Sequence, residues 1–280
     1  MTSHSVAPSL TRPAPFSGEL ILEEGDFLRR LPLLLNARQR MTIEALVHIA
    51  DCLAASYRAM HSAALLAARD EDMLPIFARA DLSNAAWSIV DDLYAAQNLI
   101  RILGEERGPA STQLLEALEP AALARNGMSH LHERIGPKVP GGLLTAKGLR
   151  RAVFGSVSFF HIDRADVADH DIEVRWISVS AGPLPEKSKF PFVFPVGEPL
   201  ATPIDRFQLS AFDQDVDLSA CVALYRDWIR AFSEELRETC LEQIKAQTTD
   251  EAEITRVMSA CGPNNVMHFV RFTYAGQAEQ

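Results

Sequence analysis

The chain has 280 residues, of which 48% are hydrophobic and 23% charged, and this composition is typical of a globular protein with a sizeable core. A formal net charge of -10 argues against a protein that coats nucleic acid over its whole surface. No apolar run approaches the roughly 20 residues that span a bilayer, and residues 1–18 lack the basic and apolar regions of a signal peptide. We therefore expect a flexible leader, no membrane association and a cytoplasmic protein.

Hydrophobic periodicity predicts that the first half of the chain is helical. Two stripes with apolar residues every three or four positions predict helices from Met41 to about Ala68 and from Asp81 or Ser83 to about Leu103. Shorter helical pieces are predicted within Leu20–Leu35, from Ser111, and from about Ala121 to Ile135, with Pro120 at the first turn of the last piece.

The composition changes after residue 142, where alternating β-branched and aromatic residues predict short antiparallel strands. These strands are expected at 152–160, 172–179 and 206–212, with an edge strand at best at 190–196 and another strand at 266–274. Asp217 is predicted to cap a long helix reaching about residue 247. We read the acids of Asp213–Asp217 as complementing the dipole of that helix rather than as a calcium loop.

These elements predict an α+β fold that is mainly α. We divide the chain into a leader (1–18), a helical bundle (19–142), a small antiparallel sheet (143–216), and a long helix that packs back on the bundle with a C-terminal tail (217–280).

The segment around Arg125 concentrates reactive side chains on one predicted helix. Arg125 can grip a phosphate with two donors, and His130 can act as a general acid or base near neutral pH. Asn126 lies four residues before His130 and therefore shares its helix face. His132 lies seven residues, nearly two turns, after Arg125 and therefore faces the same way, whereas His130 lies more to the side. Gly127 leaves room beside these residues for another backbone or a ligand.

The sequence Arg125-Asn-Gly-Met-Ser-His130 resembles the Arg-polar-x3-His signature of the HEPN family, whose members are helical bundles and in many cases ribonucleases of toxin–antitoxin, antiphage and CRISPR systems. The resemblance implies a metal-independent ribonuclease without a cofactor, with an active site formed where two copies meet in a homodimer. It gives the motif roles to Arg125, Asn126 and His130, and His132 fits the longer Arg-x6-His spacing. RNA or a nucleotide, and an antitoxin protein, are the partners that it implies.

Basic residues are locally in excess just after this motif, although the whole chain is acidic. Only Glu133 opposes them, so the segment is predicted to bind phosphate or RNA. The residues expected to make these contacts are Arg134, Lys138, Lys147, Arg150 and Arg151.

Two other functions stay open. Some HEPN-like proteins bind nucleotides or dimerise without cleaving RNA. A metal-dependent hydrolase is the second alternative, because imidazoles and carboxylates cluster between two predicted strands; the residues are His161, Asp163, Asp166, Asp169, His170 and Asp171. We predict that Asp91 and Asp92 face solvent, that His48 and His61 are ordinary helix residues, and that the cysteines are reduced and buried.

Overall fold

A computed structural model describes residues 16–32, 34–69, 76–104, 108–130, 155–163, 173–180, 204–212 and 214–259. These residues form a mainly helical α+β fold with one small antiparallel sheet, as predicted. The helices are α1 (Ala37–Arg69), α2 (Ile76–Leu103), α3 (Pro109–Ser129), α4 (Leu218–Lys245) and α5 (Glu251–Ser259), and the strands are β1 (Ser156–Asp163), β2 (Glu173–Ser180), β3 (Ile204–Ala211) and β4 (Gln214–Asp217). None of the five described helices combines the length and apolar composition that crossing a membrane would need.

Helix α1 confirms the first predicted stripe, because the apolar residues that form this stripe are all buried: Leu46, Ile49, Leu53, Tyr57, Met60 and Ala64. The helix begins earlier than predicted, directly after Asn36. The Asn36 side chain accepts from the Gln39 N–H at 3.0 Å, and the Gln39 side chain accepts from the Asn36 N–H at 3.2 Å. This reciprocal cap starts the helix at Ala37.

Helix α2 also begins before its predicted cap, so that Asp81 and Ser83 lie inside it. Before α1, the described residues between 20 and 35 contain a short 3-10 helix, Phe27–Arg29, which the Asp26 side chain caps.

Helix α3 differs from its prediction at two points. It runs without a break through Pro120, where we had expected two helical pieces. Apolar side chains on both sides of the proline are buried, including Leu118 and Ala121, and this packing holds the helix together across the missing hydrogen bond. The helix then ends at Ser129 rather than Ile135, because His130 leaves helical geometry at φ -100° and ψ 19°.

The sheet has the strand order β2-β1-β3-β4, and every neighbouring pair is antiparallel. Three strands match predicted ones within a few residues. The fourth, β4, was not predicted: Val216 pairs with Leu209 of β3, so Asp215 and Asp217 lie on a strand that leads directly into the helix. Asp217 does cap α4 as predicted, since its side chain accepts from the Ala220 N–H at 2.9 Å. The strands predicted at 190–196 and 266–274 lie outside the described residues.

Helix α4 packs back on the bundle, as predicted, and it also contacts the sheet. The buried Tyr225 hydroxyl donates to the Leu46 carbonyl of α1 at 2.8 Å, and Trp228 donates to Ser111 of α3 at 2.9 Å. Ser219 is hydrogen bonded to the Tyr57 hydroxyl and accepts from the Phe207 N–H of β3, each at 2.9 Å. Residues of the helices and the sheet therefore share one hydrophobic core.

The predicted leader of residues 1–18 overlaps packed structure at its last three residues. Phe16 is buried, with its ring centroid 4.9 Å from that of Tyr57. Arg58 donates to the Gly18 carbonyl at 2.8 Å. Phe16 and Gly18 therefore belong to the packed structure and not to a leader.

Candidate functional site

The candidate site lies at the C-terminal end of α3, where Arg125 rests against α2. Its Nε lies 3.5 Å from Oδ1 of Asp91, and its Cζ lies 4.8 Å from the ring centroid of Tyr94. Asp91 and Tyr94 are three residues apart and therefore share one face of α2. The Arg125 side chain remains 38% exposed and that of Asp91 66% exposed, so the guanidinium is held at the surface and not enclosed.

Asn126 and His130 are exposed on the same end of α3. The His130 N–H donates to the Asn126 carbonyl at 3.2 Å, and the Ser129 hydroxyl donates to the Arg125 carbonyl at 3.1 Å. These bonds satisfy carbonyls of the last helical turn and fix the backbone that carries the three motif side chains. A cation, an amide and an imidazole are thus presented to solvent within two turns of one another.

Gly127 is in contact with the turn between β3 and β4, which corrects our expectation of space for a second backbone or a ligand. A Cβ at Gly127 would lie 2.6 Å from Cγ and 2.9 Å from Cβ of Phe212. The Phe212 ring also makes an edge contact with Trp87 of α2, at 6.2 Å between centroids. Glycine is needed at position 127 because a side chain from the same chain already covers it.

The remaining predicted site residues lie outside the described ranges: His132, Arg134, Lys138, Lys147, Arg150 and Arg151. The helix-face argument for His132 fails, because it required α3 to continue past Ser129. Within the described residues, Arg125, Asn126 and His130 lie in the last turn of α3 and its C-cap; Asn126 and His130 are exposed, and Arg125 rests against α2.

The rival metal cluster is only partly described. Nδ1 of His161 lies 3.2 Å from Nη2 of Arg175, and this pairing directs a permanent cation at the imidazole. Asp166, Asp169, His170 and Asp171 lie outside the described residues. Among the side chains that the structure does describe, no group of three or more His, Cys, Asp or Glu is arranged to hold a metal ion.

A second polar cluster, between α1 and α2, was missed from sequence. Cys52 Sγ lies 3.5 Å from His48 Nε2, and half-buried Asp92 faces the same pair. Burial, reinforced by Asp91 and opposed by His48, raises the pKa of Asp92 from its ordinary 3.8 to about 6. Our prediction that Asp92 faces solvent is therefore wrong. The i, i+4 spacing of His48 and Cys52 was a signal that could have revealed this pair.

The thiols of the described cysteines are not activated. Burial, together with Asp92 and Asp51, raises the pKa of Cys52, and burial also raises the pKa values of Cys221 and Cys240. A thiol with a raised pKa is mostly protonated near neutral pH and is a poor nucleophile. Cys221 and Cys240 are buried and unpaired with each other, as predicted, whereas Cys52 is partly exposed.

Fold and site together define a mainly helical α+β protein with an exposed arginine, asparagine and histidine at the end of one bundle helix. Comparison of the chain with models of known protein families, with curated proteins and with solved structures finds no match in any of the three.

Proposed function

We propose that the protein is a HEPN-like, metal-independent endoribonuclease whose active site forms from the Arg125–His130 segments of two copies. One observation carries the proposal: Arg125, Asn126 and His130 all lie at the C-terminal end of α3, with Asn126 and His130 exposed and the Arg125 side chain 38% exposed. The resemblance of this motif to the HEPN signature extends the proposal to a cytoplasmic toxin–antitoxin or antiphage system, with an antitoxin protein as a partner.

In this mechanism His130 takes the proton of a ribose 2′-hydroxyl, and the 2′-oxygen attacks the adjacent phosphorus. The bond from phosphorus to the 5′-oxygen breaks, and the departing oxygen takes a proton from the imidazolium of the other copy's motif. Arg125 stabilises the charge that builds on the phosphate oxygens, and Asn126 orients the phosphate. The products are a 2′,3′-cyclic phosphate and a 5′-hydroxyl end. Each copy supplies one described motif histidine, so two copies provide the base and the acid.

The test is cleavage of single-stranded RNA in EDTA by the wild type and by His130→Ala. We expect the substitution to slow cleavage by about 100-fold or more, because a general acid–base group contributes about that much. His48→Ala is the matched control, since His48 is an exposed histidine on another helix. Cleavage that survives in His130→Ala, or that EDTA abolishes in the wild type, would contradict the proposal.

One observation favours the non-catalytic alternative. Arg125 already contacts Asp91 and Tyr94 of its own chain, as expected of a residue that stabilises a binding or dimerisation surface. The alternative predicts that RNA stays intact with the wild type under all conditions, while Arg125→Ala weakens RNA binding or self-association measured by sedimentation.

A further inference from the structure

Asp91 and Tyr94 hold the guanidinium to which the proposed function assigns the RNA phosphate. Among the residues that the structure describes, Asp91 supplies the carboxylate that lies within ion-pair distance of Arg125. The contact between Arg125 Nε and Asp91 Oδ1 is 3.5 Å long and exposed on both sides. Such pairs are weak, because water and salt screen both charges. A phosphate placed on the same guanidinium would compete with Asp91 directly.

Tyr94 contributes in a different way. Its ring lies 4.8 Å from Cζ of Arg125, within the range of a cation–π contact. The ring contacts the face of the guanidinium and leaves its N–H groups free to bind an anion. The contact is therefore compatible with the Asp91 carboxylate or with a phosphate. The ring therefore restricts the position of the arginine without selecting between Asp91 and a phosphate.

We propose that Asp91 is an internal competitor that occupies Arg125 when RNA is absent, and that Tyr94 positions the guanidinium so that an RNA phosphate replaces the carboxylate. Asp91 then sets the affinity of the site for RNA, and Tyr94 is a positioning residue. This inference rests on the proposed function, because it takes the RNA phosphodiester as the ligand of Arg125.

The test measures binding apart from cleavage. The probe is a fluorescein-labelled single-stranded RNA with 2′-O-methyl riboses, which has no 2′-hydroxyl to attack the phosphate, and the readout is fluorescence anisotropy. Asp91→Asn is expected to bind this probe about two- to fivefold more tightly than the wild type, the range that a weak exposed ion pair allows. The gain should shrink as salt is raised.

Glu116→Gln is the matched control, because it removes the same charge from an exposed position earlier on α3. In an Arg125→Ala background, Asp91→Asn should have no more effect than Glu116→Gln. Tyr94→Leu should weaken binding about two- to fivefold, while Tyr94→Phe, which keeps the ring, should not. With cleavable RNA, Asp91→Asn should lower KM and leave kcat unchanged.

Failure of this inference can be told apart from failure of the proposed function. If Arg125→Ala weakens probe binding but Asp91→Asn changes the affinity no more than Glu116→Gln does, Asp91 is not an internal competitor, and the proposal of an RNA site at Arg125 stands. If Arg125→Ala leaves binding of the probe unchanged, the RNA site at Arg125 is overturned, and the inference with it.

Discussion

Two neighbouring carboxylates on α2 lie in opposite surroundings. Asp91 faces α3, is 66% exposed and lies beside the guanidinium of Arg125. Asp92 faces α1, is half-buried, and lies near His48 and Cys52. One residue along a helix is a rotation of about 100°, which is enough to move a side chain from one inter-helix groove to the next.

The chemistry of the two grooves follows from this difference. In the groove between α2 and α3, an acid meets a permanent cation at the surface, and a competing anion can reach that cation. In the groove between α1 and α2, an acid is desolvated and its pKa rises to about 6. The exposed cation therefore suits the groove between α2 and α3 to binding a phosphate, whereas the desolvated acid suits the groove between α1 and α2 to holding a proton.

The largest effect is expected where α3 is packed most tightly, at Gly127. Gly127→Ala would place a Cβ within 3 Å of three Phe212 atoms, and these include Cβ and Cγ at the base of the side chain, so the clash cannot be relieved by moving only the end of a flexible side chain. We expect a loss of about 2 kcal/mol in the free energy of unfolding, even though alanine favours a helix. Urea denaturation measures this loss.

Gly25→Ala is the control for that experiment, because nothing lies within 4 Å of a Cβ at Gly25. Its unfolding free energy should stay within about 0.5 kcal/mol of the wild type. An unchanged or higher stability for Gly127→Ala would mean that the contact with Phe212 relaxes at no cost.

A smaller effect, specific to the groove between α1 and α2, is expected from Asp92→Asn. The folded-state pKa of Asp92 is raised to about 6 from 3.8. Between these values the folded protein keeps a proton that the unfolded chain has lost, so stability falls as pH rises from about 4 to about 6. Asparagine does not ionise, so Asp92→Asn removes this loss of stability. Solvent screens a half-buried group, and we therefore expect the variant to gain about 1 kcal/mol over the wild type at pH 7 relative to pH 4.

Asp81→Asn makes the same change at an exposed position of the same helix, and its difference from the wild type should not follow this pH dependence. The unfolding free energies are measured by urea denaturation as a function of pH. If the two variants showed the same pH dependence, the claim that Asp92 is desolvated between α1 and α2 would be contradicted.

Local sequence patterns were sufficient to predict most of the fold. The apolar stripe of α1 and the cap at Asp217 depend on residues within a few positions of one another, and the structure confirms both. The placement of Arg125 and Asn126 on one helix, with His130 at its end, could also be predicted, because their spacing is local information.

The features that sequence did not reveal depend on distant residues. Phe212 covers Gly127 from a turn 85 positions away along the chain, and nothing near Gly127 indicates this contact. Asp91 and Asp92 look equivalent until the positions of α1 and α3 around α2 are known. The continuity of α3 through Pro120 likewise comes from buried neighbours that outweigh the local preference of proline.

The smallest expected effect tests the groove between α2 and α3 by stability alone. A double-mutant cycle of Asp91→Asn and Arg125→Ala isolates the coupling free energy of the pair. We expect about 0.4 to 0.9 kcal/mol at low salt, which corresponds to the two- to fivefold gain in RNA affinity, and nearly nothing at about 1 M NaCl, since both side chains are exposed. Weak coupling is what allows a phosphate to displace the carboxylate. A coupling above about 1 kcal/mol that persists at high salt would mean that Arg125 stays paired with Asp91 of its own chain. Such a result would favour the non-catalytic alternative over the ribonuclease.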